Sequence, residues 1–278
     1  DYYGQGRSAL SAGILKMRDL VKGKRIVVTG SSSGIGWETA KFLTNQGAEV
    51  LGIDITKNFD HVEEFYRADL GDRRTIEALV DALPSGIDGL VNNAGLPPTR
   101  PAEQLLAVNL VGLKHLTYQL ISKLNDNASI VNVASLAGHG WPQSVDAIKA
   151  ADKLDFDNIA AFVDRWKVGN EGGRSYFFSK EALLAWTFRN RWTWRDRGIR
   201  MNVISPGPVD TPILGDFLKT LGARAEEDRK TMDRAGKPSD IAPVIAFLLS
   251  DMTHWIRGSN IPTDGGMSSN LLCETHGL

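Results

Sequence analysis

The sequence predicts an α/β fold: a single doubly wound parallel sheet with helices on both faces. Three observations lead there. From Arg25 onward, short β-branched runs alternate with amphipathic helical stretches. Nearly continuous apolar strands joined by helical crossovers mean a sheet covered on both sides. The first run passes straight into a glycine-bearing turn, Thr29-Gly30-Ser31-Ser32-Ser33-Gly34-Ile35-Gly36. A length of 278 residues suits one α/β unit with one large core.

Residues 1–22 read as an N-terminal extension. Its opening, Tyr2-Tyr3-Gly4-Gln5-Gly6-Arg7, is polar and contains glycine, so 1–16 is expected to be a loose arm and 23–278 one domain. Within that domain the β-branched runs place strands at Arg25–Thr29, Glu49–Asp54, Gly89–Asn92, Ser129–Ala134, Arg200–Ile204 and Asn260–Thr263. Helical spacing places helices near 35–46, 73–83, 102–125, 176–197 and 239–250. Two stretches break the rhythm. Residues 208–236, rich in Arg, Lys and Asp after Ser205-Pro206-Gly207-Pro208, predict a mobile helical flap over the strand ends. A helical insertion over about 138–173 carries apolar residues at helical spacing in Val145–Lys153 and Asn158–Lys167, with Ile159, Phe162, Val163 and Trp166 as one stripe.

Composition narrows the function. Charge is balanced, 32 Lys+Arg against 33 Asp+Glu, so nothing favours nucleic acid or an anionic membrane. The longest apolar stretch, Ala242–Leu249, is far short of the roughly 20 residues of a spanning helix. A lone cysteine, Cys273, fits a reducing compartment, and a cytoplasmic location is expected. Five histidines (His61, His115, His139, His254, His276) share no ligand spacing, so no metal site is expected.

The glycine turn follows a strand and opens a helix, where backbone N–H groups can approach a pyrophosphate. This Rossmann-type arrangement marks Gly30, Ser32, Ser33, Gly34, Ile35 and Gly36 as cofactor contacts. Asp54 ends the second strand 18 positions beyond Gly36, where a carboxylate accepts hydrogen bonds from adenosine ribose hydroxyls; Ile55 follows it. A carboxylate repels a 2′-phosphate, so NAD is expected over NADP. Further along, Tyr176 and Lys180 lie four residues apart, on one helix face. A cation there favours the phenolate, which makes Tyr176 a candidate base and Lys180 its activator. Ser135, at the end of the strand Ile130-Val131-Asn132-Val133-Ala134, can hydrogen-bond a reacting oxygen.

Taken in order, Thr29-Gly30-x-x-x-Gly34-Ile35-Gly36, Asp69-Leu70, Asn92-Asn93-Ala94-Gly95, Asn109, Ser135, Tyr176-x-x-x-Lys180, Pro206-Gly207 through Thr211, and Asp264-Gly265-Gly266 resemble the short-chain dehydrogenase/reductase family from about Lys24 to Gly266. The resemblance implies hydride transfer between a nicotinamide and an alcohol or its carbonyl. It implies that Asp69 and Leu70 meet the adenine, that Asn93, Ala94 and Gly95 border the cofactor, and that Pro206, Gly207, Val209 and Thr211 hold the nicotinamide. By the same resemblance Asn109 kinks its helix and completes a proton relay with Ser135, Tyr176 and Lys180. Lys180 also meets the nicotinamide ribose, and the chain is a homo-oligomer, a dimer or tetramer. Ala134 departs from the pattern, since relatives often carry a second serine there, but the catalytic hydroxyl remains.

The interval of 41 positions between Ser135 and Tyr176 is long for this family. With Gly140-Trp141-Pro142, Lys180-Glu181-Ala182-Leu183, Thr211-Pro212-Ile213-Leu214 and Trp255-Ile256, it resembles a smaller branch acting on coniferyl alcohol and on 3α-hydroxysteroids. The resemblance implies an aromatic allylic alcohol as substrate, with a hydroxysteroid or broad carbonyl substrate as the alternative. A non-catalytic dinucleotide-binding regulator is the alternative of another class, opposed by the intact catalytic set. His139 and Trp141, just past Ser135, are expected at the pocket mouth, the insertion either as a packed helical decoration or as a lid, and Trp141 and Phe217 as rings for stacking. Trp186, Trp192 and Trp194 are expected on the Tyr176 helix, in core or interface.

Overall fold

The computed structural model describes residues 19–222 and 232–278. The expected arm at 1–16 and the middle of the 208–236 flap lie outside the described residues. Seven parallel strands form one sheet in the order β3-β2-β1-β4-β5-β6-β7. They are β1 (Arg25–Thr29), β2 (Glu49–Asp54), β3 (Glu64–Arg67), β4 (Ile87–Asn92), β5 (Leu124–Val133), β6 (Arg200–Pro206) and β7 (Asn260–Thr263). The chain winds outward from β1 to β3, then returns to β4 and winds the other way. The carboxyl ends of β1 and β4 therefore open into a crevice that no crossover covers.

Alternation along the strands builds both faces. Ile26 and Val28 pack with Val50, Val91, Val131 and Ile204 under α1 (Gly34–Asn45), while Val27 packs with Leu51, Leu90, Ile130 and Val203 on the opposite side. That opposite side carries α2 (Arg73–Ala82), and α3 (Ala102–Leu106), which continues through a π-helical stretch Ala107–Gly112 into α4 (Leu113–Leu120).

The insertion contributes α5 (Val145–Ala150) and α6 (Ile159–Trp166), followed by α7 (Arg174–Arg189). Its predicted stripe holds: Ile159, Phe162 and Val163 are buried with Leu105, Leu106, Tyr176 and Phe178, and Trp166 packs partly buried beside them. Fully burying such a side chain contributes about 1.5–3 kcal/mol. The ion pairs that also fasten the insertion, Arg73 to Asp155 (2.9 Å) and Arg189 to Asp152 (2.6 Å), are exposed and add little. The segment is thus joined to the core of α7 as a packed wall.

Three elements differ from the expectations. The Tyr176 helix starts at Arg174 and stops at Arg189, capped by Asn190, so Trp192 and Trp194 lie beyond it. Trp192 is 58% exposed, whereas Trp186 is buried and donates through Nε1 to the Tyr118 hydroxyl (3.0 Å). The edge strand β3 is short, charged and half exposed, so it lacks the apolar run that marks the other strands. After α8 (Leu214–Leu221) and α9 (Pro238–Leu249), a last helix α10 (Met267–His276) follows β7. Only Met267 of that helix is buried, which explains its weak sequence signal. No helix among the described residues is long and apolar enough to cross a membrane.

Candidate active site

The crevice at the carboxyl ends of the strands is a cavity of about 740 Å³ that runs from the glycine turn to the N-terminal half of α7. Its volume is of the size that holds a small molecule. At one end, Gly30 and Gly34 take positive φ (+67° and +54°), which reverses the chain out of β1 and aims it into α1. A Cβ on Gly36 would fall 2.0 Å from the Gly30 carbonyl oxygen. Only glycine lets α1 begin this close to the strand. Ser33, the N-cap of α1, makes no side-chain cap bond, so the first amides of the helix are open to an anion.

The sequence-predicted contacts divide. Gly30, Ser33, Gly34 and Ile35 line the cavity, as do Asp54 and Ile55 at the end of β2. Ser32 and Gly36 do not. The Ser32 hydroxyl donates to the Thr56 carbonyl (2.6 Å), and its amide donates to Asp54 Oδ2 (3.1 Å). With the Thr56 amide on Oδ1 (2.9 Å), both oxygens of Asp54 are held by backbone donors. Ser32 fixes the carboxylate and is a support rather than a wall. Gly36 faces Gly30 and Asn93 for the packing reason already given.

Asp69 and Leu70 line the cavity beyond Asp54, and Asn93, Ala94 and Gly95 form its floor. Asn93 also ties the floor to the turn, donating through Nδ2 to the Thr29 carbonyl (3.0 Å). Asn109 lies where its helix is distorted, as the resemblance implies. It sits in the π-helical stretch, 1% exposed and off the cavity wall. Its Oδ1 accepts from the Leu96 amide (2.7 Å) and its Nδ2 donates to the Leu96 carbonyl (3.1 Å). The side chain staples the loop after Gly95 to the helix, and the helix widens there to make room. The same stretch ends at Gly112, where a Cβ would fall 1.8 Å from the Leu70 carbonyl oxygen.

The reacting end gathers Ser135, Tyr176 and Lys180. Ser135 caps the short turn Leu136–Gly138, its Oγ accepting from the Ala137 amide (3.2 Å). The Tyr176 phenol faces Ser135. Burial pushes that phenol up to about 12, and the neighbouring Ser135 side chain pulls it part of the way back. Lys180 donates to the Val133 carbonyl (3.0 Å) and lies 5.5 Å from the centre of the Tyr176 ring. Burial pushes its ammonium down to about 8. The sequence reading had Lys180 lowering the Tyr176 pKa. In the protein alone desolvation dominates and moves both groups toward their neutral forms.

Pro206, Gly207, Val209 and Thr211 line the wall after β6. From the flap, α8 brings Phe217 edge-on to Tyr176, ring centres 4.7 Å apart at 83°. His139 lines the cavity as expected. Trp141 does not: its ring turns away and packs edge-on against Phe188 (5.8 Å), where an indole buries more apolar surface than at a water-filled mouth. The sequence reading missed Leu271 and Thr275 of α10, together with Leu218, Phe177 and Glu181, all on the wall. Helical spacing after Asp264-Gly265-Gly266 was the available signal. Among the described residues no cluster of His, Cys, Asp and Glu is arranged to hold a metal.

An α/β sheet with a dinucleotide-type turn at one end of a cleft and a Ser–Tyr–Lys set at the other defines an oxidoreductase site. Comparison with known proteins agrees. Residues 24–148 match the family model described as short chain dehydrogenase, and residues 159–268 match one described as enoyl-(acyl carrier protein) reductase. The chain is 40% identical over 252 residues to coniferyl-alcohol dehydrogenase of Pseudomonas sp., covering 90% of this chain and 98% of the relative. It is 31% identical over 255 residues to 3-alpha-hydroxysteroid dehydrogenase/carbonyl reductase of Comamonas testosteroni, covering 88% and 96%. Among solved structures, the 3-alpha-hydroxysteroid dehydrogenase of Pseudomonas sp. B-0831, complexed with NADH, superposes with a TM-score of 0.77 at 29% identity, covering 89% and 98%. The chain belongs to the short-chain dehydrogenase/reductase family and is an oxidoreductase of the alcohol dehydrogenase/reductase type.

Proposed function

We propose that this enzyme uses NAD to interconvert an aromatic allylic alcohol, such as coniferyl alcohol, and its aldehyde. The observation that carries the reading is the convergence of Ser135 and Tyr176, with Lys180 one helical turn on, in the cleft that also holds the glycine turn and Asp54. The residues fit the cofactor: the open N-terminus of α1 suits a pyrophosphate, and the backbone-held Asp54 suits the ribose hydroxyls. Ser32, Asn109 and Gly36 enter this reading as supports for those contacts.

When bound, NAD⁺ supplies the hydride acceptor and a positive charge near the phenol. Tyr176 takes the hydroxyl proton of the substrate, and returns it in the reverse direction. Ser135 holds the substrate oxygen as its charge changes. Lys180 would hold the ribose and keep a cation beside the phenolate, narrowing the gap that burial opens in the Tyr176 pKa. Leu214, Phe217, Leu218 and Leu271 give the substrate end an apolar wall suited to a flat ring. The 40% identity to coniferyl-alcohol dehydrogenase supports the same choice.

We read residues 23–278 as one domain that works in the cytoplasm as a homo-oligomer. Trp255 at 97% exposure and Met252 at 69% are the kind of apolar surface that a subunit contact covers. NADH formation across a panel of alcohols tests the substrate. Turnover of coniferyl alcohol well above that of 3α-hydroxysteroids supports the reading, and the reverse order overturns it in favour of a hydroxysteroid dehydrogenase. The cavity volume of about 740 Å³ admits either substrate, so the panel decides between them.

A further inference from the structure

Arg174 and Glu181 bracket the catalytic pair on α7, with Arg174 two residues before Tyr176 and Glu181 directly after Lys180. Seven residues apart, they share a helix face. The guanidinium meets the carboxylate in a two-bond fork, Nη1 to Oε1 at 2.9 Å and Nη2 to Oε2 at 2.8 Å. The Glu181 side chain is only 6% exposed, and its carboxylate reaches the cavity wall. A half-buried pair of this kind is a poor source of net stability, because desolvation of the carboxylate and screening of the exposed guanidinium offset the attraction.

What the pair touches gives it a use. Arg174 Nη2 also donates to Ser144 Oγ (2.8 Å), at the start of the insertion. On the other side, Glu181 Oε1 lies against the backbone of Gly140, where an added Cβ would come within 3.2 Å. A Cβ on Gly138 would meet Leu184 Cδ1 at 2.5 Å and the Lys180 carbonyl at 2.9 Å. The turn from Ser135 to Gly140 therefore lies flat on α7. Its own bonds are few: the Ala137 amide to Ser135 Oγ, the Gly138 amide to the Ser135 carbonyl, and the His139 amide to the Leu136 carbonyl. Beyond it the chain leaves into an insertion that has to be anchored somewhere close.

We propose that Arg174 and Glu181 are positioning residues, a clamp that closes on Gly140 and Ser144, just beyond the Ser135 turn, and holds the Ser135 hydroxyl beside the Tyr176 phenol. The clamp rests on the assignment of Ser135 and Tyr176 as the reacting pair. It acts through the turn rather than at the reacting atoms.

The test uses the full chain, Glu181→Gln, and the double variant Arg174→Met/Glu181→Leu. Hydrogen exchange is followed over 135–140, with α9 as internal control, beside kcat with coniferyl alcohol and the Kd for NADH. Glu181→Gln is expected to speed exchange in the turn and to lower kcat, each by about tenfold or more, since small misplacements at a reacting centre are costly. The Kd for NADH and exchange in α9 stay within about twofold of wild type. The double variant leaves no orphan charge, so its Tm returns toward wild type. Its turn exchange and kcat remain impaired, which a purely stabilising pair would not produce. Recovery of kcat and exchange together with Tm overturns the clamp, as does Glu181→Gln with both within twofold of wild type. Absence of wild-type turnover with coniferyl alcohol would count against the substrate reading, and the exchange measurement would still decide the clamp.

Discussion

Replacing Lys180 with methionine should make the cofactor-free protein more stable near neutrality while destroying its activity. Burial depresses the Lys180 pKa to about 8, against an ordinary value of 10.5. Below pH 8 the ammonium is charged in both folded and unfolded chains, and the folded state bears the full desolvation cost. Between 8 and 10.5 the unfolded chain holds more protons than the folded one, so stability rises with pH. Above 10.5 both forms are neutral and the cost is gone. The interval corresponds to about 3 kcal/mol. Methionine fills the same space without the charge, so the advantage of the variant should shrink by about that amount between pH 7 and pH 10.5. Loss of the Lys180–Val133 hydrogen bond adds an offset that depends little on pH. The assay is thermal unfolding of the cofactor-free proteins at equal concentration, from pH 7 to 10.5. A change of about 3 kcal/mol moves the Tm difference by roughly 5–10 °C for a chain of this size. A Tm difference that stays flat over this range would refute the claim that Lys180 carries a buried charge. The same variant should bind NAD more weakly, because the ribose contact goes with the ammonium.

Three further outcomes are expected. Tyr176→Phe should lower kcat by about 10²–10⁴-fold while leaving NADH binding in place, as read by fluorescence titration, since only the proton-transferring oxygen is removed. The enzyme should prefer NAD to NADP by well over about tenfold in kcat/KM, or about 1.4 kcal/mol, and Asp54→Ala should narrow that ratio; equal efficiency of the wild type with both cofactors would place the carboxylate elsewhere in function. Asn109→Ala leaves the Leu96 amide and carbonyl without their partner, at a cost of about 1–3 kcal/mol, so its Tm should fall by several degrees even without cofactor.

Much of the site was legible because its residues obey local rules. A strand that runs into a helix through Gly30, Gly34 and Gly36 needs those glycines for backbone reasons that sequence spacing displays. Tyr176 and Lys180 share a face because a helix repeats every 3.6 residues. Where the reading went astray, the deciding partner was distant in sequence. Nothing local says that Asn109 spends both of its polar groups on Leu96, or that Trp141 turns toward Phe188. The edge strand β3 and the terminal helix α10 were missed because exposed elements need no apolar pattern; pairing with β2 defines the first and the cavity wall the second.

By itself, then, the sequence determined the parallel α/β sheet, the positions of its main strands along the chain, the cofactor turn with Asp54, and the chemical types at the reacting end. Each depends on hydrophobic period, backbone allowance or residue chemistry, all of which are written within a few neighbouring positions. Tertiary structure alone decided that Ser135 meets Tyr176 across the cleft, that burial drives Tyr176 and Lys180 toward neutrality, and that the insertion packs as a wall clamped by Arg174 and Glu181. Those are matters of desolvation and of contacts between segments far apart in the chain, and neither exists until the sheet and its helices have closed on one another.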